Sequence, residues 1–370
     1  MFGKMVDDMP SVTLSSGGAS LRDAAPARVR VENDAAMIRA VAQLTRDLNA
    51  PSPAIYWSDL LGSAAIGYGA LFLAIGASGL GAALAFAVVA VIGLYRAASF
   101  IHELTHIRHA ALPGFRPAWN VLVGIPLFVP SFMYEGVHNL HHQRTRYGTA
   151  EDPEYLPLAL MKPWTLPVFV LVAALGPIGL MLRYALLAPL SALIPPLRTM
   201  VIERYSSLSI NPGYRRRAPE GDARRDWLVL EAATSLWAIA LLAAVAGGLV
   251  PLPGFLIFLA IASAVMVLNQ VRTLVAHLWE NDGEVMTVTG QFLDSVNVPP
   301  PGFVAELWAP VGLRYHALHH LLPGVPYHRL PEAHRRLSAT LGPDSAYHRA
   351  NYKGLPGLIV RLAGGTLRGR

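Results

Sequence analysis

Long apolar runs separated by short polar stretches set the architecture that this chain predicts. From Leu60 to Ile101 it is almost continuously apolar for about 40 residues, interrupted near Gly76–Gly81. Each half is long enough to cross roughly 30 Å of hydrocarbon at a rise of about 1.5 Å per residue. The pattern predicts a transmembrane hairpin with spans over 60–77 and 81–101, the second leaving the membrane past Arg96. A second hairpin is predicted over 227–250 and 255–276, turned at Pro251-Leu-Pro253-Gly254.

Three other stretches are less regular. Trp119–Met133 is apolar but short, and Pro126 and Pro130 interrupt it, so it reads as re-entrant or interfacial. Trp164–Met200 carries enough apolar residues for one or two crossings, but Pro167, Pro177, Pro189, Pro195 and Pro196 are scattered through it. Near the start, Asn33 or Asp34 can cap a helix whose apolar positions Met37, Val41, Leu44 and Leu48 recur at helical spacing. That helix either lies on the membrane surface or packs as a small soluble helix on the rest of the protein. Met1–Pro26 is polar and reads as a disordered leader without a cleaved signal peptide.

Composition sharpens the class. Of 370 residues 53% are hydrophobic and 15% charged, against roughly 25% charged in ordinary soluble domains. The fold class is therefore an all-α integral membrane protein, with about four transmembrane helices in two hairpins, interfacial helices and a cap. The expected organisation is a leader and interfacial helix over 1–55, a membrane domain over 56–340, and a tail over 341–370. Most of the charge marks topology. Glu203–Asp226 holds Arg204, Arg215, Arg216, Arg217, Arg224 and Arg225, which the positive-inside rule assigns to the cytoplasm. The same cluster could recruit an acidic electron carrier or an anionic headgroup, and no nucleic-acid partner is expected. To keep residues 138–142 on that side, 164–200 must cross an even number of times or not at all.

The candidate chemistry lies in histidines. The chain has 13, and nine fall in three boxes: His102-Glu-Leu-Thr-His106 with His109, His138-Asn-Leu-His141-His142, and His316-Ala-Leu-His319-His320. On a helix, His102, His106 and His109 share one side, and the first, fourth and fifth positions of an H-x-x-H-H box are neighbours. Neutral imidazole is a preferred ligand for iron, copper and zinc. Nine clustered imidazoles exceed what one ion accepts, so two metals are implied. The chain has no cysteine, which excludes disulfides, thiolate-bound iron–sulfur clusters and cysteine nucleophiles. The predicted hairpins bring all three boxes to one membrane face. His328, His334 and His348 read as structural or surface residues. Asp152 and Glu154, after the second box, could accept from ligand imidazoles or form a solvated acidic turn.

Two other classes compete. Glu103 makes His102–His106 a formal H-E-x-x-H, the motif of a zinc metalloprotease with glutamate as general base. A peptidase needs one zinc with three protein ligands, however, and leaves six box histidines unexplained; Glu103 is better suited to orient an imidazole through its free N–H. A metal transporter would line a path through the bilayer, whereas these ligands cluster at helix ends.

The three ordered boxes with hairpins between them resemble the membrane fatty acid desaturase superfamily, over residues 60–340. The resemblance implies a non-haem di-iron centre held by His102, His106, His138, His141, His142, His316, His319 and His320, with molecular oxygen as co-substrate. His277 resembles the extra ligand that related acyl-CoA desaturases supply from the end of the last span; where those enzymes carry an asparagine four residues earlier, this chain has Thr273. The H-E-L-T-H box is similar to that of alkane monooxygenases, while Arg144-Thr145 with Glu151-Asp152-Pro153, and the surroundings of His316 and His328, look like bacterial acyl-lipid desaturases. The implied reaction is oxidation of an unactivated C–H bond of a fatty acyl chain held in an apolar tunnel. Desaturation is expected first, then hydroxylation, then decarboxylation of a free acid to a terminal alkene. Electrons are expected from a separate ferredoxin, rubredoxin or cytochrome b5-type donor with its reductase. The expected location is the bacterial inner membrane, boxes facing the cytoplasm.

Overall fold

The computed structural model describes residues 31–302 and 304–368, and among them helices joined by turns make up the fold, with isolated β-bridges but no strand. The proposed leader, Met1–Pro26, lies outside the described residues.

Helix α1 (Ala35–Leu44) starts where Asp34 accepts a hydrogen bond from the Met37 amide at 2.9 Å. Its apolar residues Met37 and Val41 are buried in one cluster with Leu318, Leu330, Ala333 and Leu337. The helix packs on the rest of the protein through this face.

Helices α2 (Pro53–Gly76) and α3 (Leu80–His106) form the first hairpin. They approach so closely that a Cβ on Gly67 would lie 2.7 Å from the Leu94 amide nitrogen, and one on Gly93 would lie 2.8 Å from the Gly67 Cα. Small residues at such a crossing let backbones touch, which drives helix association where lipid removes the hydrophobic incentive. Helix α2 begins before the predicted span because Tyr56 and Asp59 are held from outside it: Tyr56 by Glu103, Asp59 by Arg96 and Tyr327. The outward faces keep large apolar side chains exposed, Phe72 at 71% and Leu84 at 57%, as a lipid-facing surface requires.

Helix α4 (Thr165–Leu193) adds a fifth helix long and apolar enough to cross, where the sequence pattern predicted four. Two irregular turns make it continuous: a 3-10 turn at Val172–Leu175 and a π turn at Arg183–Leu187. Each covers the carbonyl four residues before a proline, Ala173 before Pro177 and Ala185 before Pro189, where no amide donor remains. Its start packs with Leu274 and Trp279, and its middle accepts from Ser263 through the Ala174 carbonyl. Arg183, 18 residues on, is bonded to Ser206 and Glu231.

Helix α5 (Pro195–Tyr205) leads to the exposed Arg215 and Arg217, then α6 (Gly221–Ala246) and α7 (Leu252–Leu274) form the second hairpin. Trp119–Met133 enters as a short helix, a π turn and a 3-10 turn; Trp119 donates to the Ala97 carbonyl at 2.8 Å, and Phe132 stacks on Trp227. Helices α8 (Leu330–Thr340) and α9 (Leu355–Arg368) close the cap. Leu358 and Leu362 of α9 are buried in the cluster that contains Trp279.

Candidate metal centre

Four pieces of chain meet beneath the cap. The last turn of α3 presents His102 and His106; the one-turn helix His138–His141 presents the second box; the helix His316–Leu321 presents the third. His277 follows the end of α7, fixed by an antiparallel bridge to Ser295. Their imidazoles form two nests, the first of His102, His106, His138, His142 and His319, the second of His141, His277, His316 and His320. Within each, one nitrogen per ring lies within 4.8 Å of all the others.

Each H-x-x-H-H box is divided between the nests. His138 and His142 face the first and His141 the second; His316 and His320 face the second and His319 the first. Positions i and i+4 of a helix differ by about 40°, whereas i+3 falls about 100° away from i+4. Two such helices laid against one another therefore serve two ions at once, each giving a pair to one and a single ring to the other.

The donor set suits cations. His138 Nδ1 lies 3.0 Å from Glu154, His141 Nδ1 2.9 Å from Asp152, and His277 Nδ1 2.8 Å from the Tyr147 hydroxyl. With the proton on Nδ1, each Nε2 offers a bare lone pair inward. Yet the nest nitrogens face one another: His138 and His142 at 3.0 Å, His106 and His319 at 3.1 Å, His277 and His316 at 3.0 Å. Both ring nitrogens of the buried His102 lack a hydrogen-bond partner among the described residues. Lone pairs crowded this way, in a buried site, are stabilised by a metal ion among them.

Burial, the largest cause in each case, holds His138, His142, His277, His316, His319 and His320 well below the ordinary imidazole range. These rings are therefore neutral at pH 7, the state a metal needs. Burial is the largest single influence on His141 and acts against its protonation, but Asp152 together with Glu154 and Asp294 raises that group. The Glu154 carboxyl is pushed up to about 7 by burial.

Several singled-out residues sit elsewhere. Because α3 ends at His106, with Ile107 extended, His109 does not continue the helical face; its ring is half-exposed and lies 3.4 Å from Glu135. The Glu103 carboxylate turns away from both nests to accept from Tyr56 and the Tyr327 amide, and comes no closer than 3.8 Å to His102 Nδ1. It does not orient that imidazole by a hydrogen bond. The Thr273 hydroxyl donates to the Asn269 carbonyl within α7. Asp152 is fully buried, and besides His141 it accepts from the Gly148 and Glu154 amides. His328, His334 and His348 lie outside both nests and bond to Ser52, Tyr347 and the Leu341 carbonyl. The sequence reading did not find Tyr147, Ser295 or Asp294. Tyr147 bridges Asp294 and His277, and no local spacing marks such a contact across about 130–150 residues of chain.

A helical membrane protein with two buried histidine nests at one end of its spans is the arrangement of a histidine-box oxidoreductase. The model describing the fatty acid desaturase family matches residues 77–352, and the chain belongs to that family. It is 52% identical over 326 residues to a ceramide hydroxylase of Caulobacter vibrioides (strain NA1000 / CB15N), a match that covers 88% of this chain and 93% of that protein.

Proposed function

We propose that the nine nest histidines hold two irons and that the enzyme hydroxylates a hydrocarbon chain of a ceramide-type lipid. The observation that carries this reading is the 52% identity over 93% of a ceramide hydroxylase. It favours hydroxylation over the desaturation expected from the family resemblance. Two irons held by these imidazoles would supply oxygen activation strong enough to cleave an unactivated C–H bond.

The protein's own contribution is positional. Asp152, Glu154, Tyr147 and Ser295 fix the tautomer of three nest rings by accepting at, or bonding to, Nδ1. Packing of Trp279, Tyr155 and Tyr147 around His277 keeps water from the second nest. The overall stoichiometry is one C–H bond, molecular oxygen, two electrons and two protons giving an alcohol and water. The electrons would come from a separate one-electron carrier of the ferredoxin, rubredoxin or cytochrome b5 type. The histidine-bearing ends would face the cytoplasm of a bacterial inner membrane, beside the exposed Arg215, Arg217, Arg224 and Arg225.

The test is lipid mass spectrometry after co-expression with ceramide synthesis, beside elemental analysis of purified protein and the His138→Ala and His319→Ala variants. A ceramide that gains one oxygen, with iron lost in the variants, is the expected result. Loss of two hydrogens instead would establish a desaturase, and a single zinc insensitive to His319→Ala would reopen the protease. Orientation can be read by maleimide labelling of a single cysteine placed at Arg217 or Leu249, because the chain contributes no cysteine of its own.

A further inference from the structure

Most charged side chains set into the apolar helices have a carboxylate. Arg96 pairs with Asp59 at 2.5 Å, and Arg183 and Arg198 share Glu231 at 2.7 and 2.6 Å. Arg272, in the last turn of α7, does not. It is 8% exposed, its Nε has no hydrogen-bond partner among the described residues, and its Nη2 contact is the Nδ1 of His316 at 3.3 Å. A buried guanidinium left this way is costly unless something else satisfies it.

The His316 contact cannot do so while His316 serves a metal. The Nε2 of His316 lies inside the second nest, 3.0 Å from that of His277 and 3.2 Å from that of His320. A ring that offers its Nε2 lone pair carries its proton on Nδ1, and a guanidinium donates from every nitrogen and accepts at none. Donor then faces donor. At the same position His138 has Glu154, His141 has Asp152, and His277 has Tyr147. Arg272 and His316 both line a small cavity of about 10 Å³, whose wall also includes Val296, Val298, Trp308 and Arg314. That is room for about one water-sized group.

We propose that an acceptor oxygen in this cavity bridges Arg272 and His316, taking hydrogen bonds from the guanidinium and from Nδ1–H of the imidazole. Its chemistry is that of an amide carbonyl or hydroxyl oxygen of the lipid substrate, or of a buried water that fills the same place. Apart from the Arg314 guanidinium the rest of the wall is apolar, so an oxygen placed there would find its partners in Arg272 and His316. Arg272 is then a positioning residue, fixing His316 and, through the oxygen, the substrate. The inference rests on the reading of His316 as a ligand.

The experiment compares full-length wild type with Arg272→Met and Arg272→Lys in detergent, without reductant so that nothing turns over. It measures iron per chain, Mössbauer spectra, and equilibrium binding of a ceramide and of its amine analogue lacking the amide carbonyl. If the oxygen is the lipid's, Arg272→Met keeps its iron but binds ceramide about tenfold or more weakly, with little change for the analogue and partial rescue by lysine. If it is water's, ceramide binding is unchanged while the spectrum of one of the two irons shifts. Wild-type values in both readouts would overturn the proposal. Wild type without iron would instead overturn the ligand reading, whatever Arg272 does.

Discussion

The two histidine nests share one residue type and one helical spacing, yet they hang from different parts of the molecule. The first takes His102 and His106 from the end of α3, so its geometry follows the α2–α3 hairpin. The second takes nothing from α3; its fixed point is His277, just beyond α7. Their outer contacts differ as well. In the first nest, His138 alone has its Nδ1 held by an acidic partner, and His106 and His142 are half-buried. In the second, Asp152 and the Tyr147–Ser295 pair hold two of the four rings from outside, and a third, His316, faces the Arg272 guanidinium. The second nest is set by polar contacts and the first by helix packing, so different changes should disturb them.

The largest effect should come from taking one ring out of either nest. His142→Ala and His141→Ala sit side by side in the chain but face different nests. Each is expected to abolish product and to lower bound iron from about two per chain toward one. Iron analysis beside product analysis checks this. Complete loss of both irons in both variants would mean that the nests fill together rather than independently.

The outer contacts come next. Asp152→Asn leaves the His141 tautomer without the carboxylate that accepts from it, and second-nest metal affinity is expected to fall about 10–100-fold. Glu154→Gln should do less, because the Tyr134 hydroxyl also lies 2.9 Å from His138 Nδ1. Competition with a chelator, followed by the residual iron, orders the two. An equal loss in both would remove the distinction between polar and packed nests.

Parts of this arrangement are legible in sequence and parts are not, for a physical reason. Hydropathy and the 3.6-residue period are local properties, so the hairpins, the helical boxes and a surplus of histidines over one metal can be read directly. Where α3 stops is not local. No glycine or proline lies between His106 and Leu112, and the turn that takes His109 out of line is fixed by its surroundings. The prolines scattered through 165–193 leave its path open in sequence, but irregular turns absorb Pro177 and Pro189 and keep it helical. Tyr147, Ser295 and Arg272 act across distant segments, and Arg272 looks in sequence like any charge near the end of a span.

Packing gives the third test. Gly93→Leu adds bulk where the α2 and α3 backbones touch, and overpacking of this kind costs about 1–3 kcal/mol. The strain is transmitted along α3 to His102 and His106. First-nest iron should therefore be lost before second-nest iron in a thermal or chelator titration, with the Mössbauer signal assigned through the single-ring variants. The reverse order would show that the hairpin does not set the first nest.

His109→Ala should have the smallest effect. A regular helix would have carried His109 onto the face of His102 and His106, and it would then have been a sixth ring for the first nest. Instead it lies on the surface, and its neighbour Glu135 is already held by Arg116 through two hydrogen bonds near 2.8 Å and by the Ser131 hydroxyl at 2.9 Å. Glu135 keeps its charge partner when the imidazole is removed, and a pair whose imidazole is more than half exposed is worth no more than about 1 kcal/mol. Iron content, product yield and the order of metal loss should all match wild type. A loss of first-nest iron in His109→Ala would mean that α3 extends past His106 once metal is bound, and that the first nest is completed by folding on the ion rather than by the packing of the hairpin.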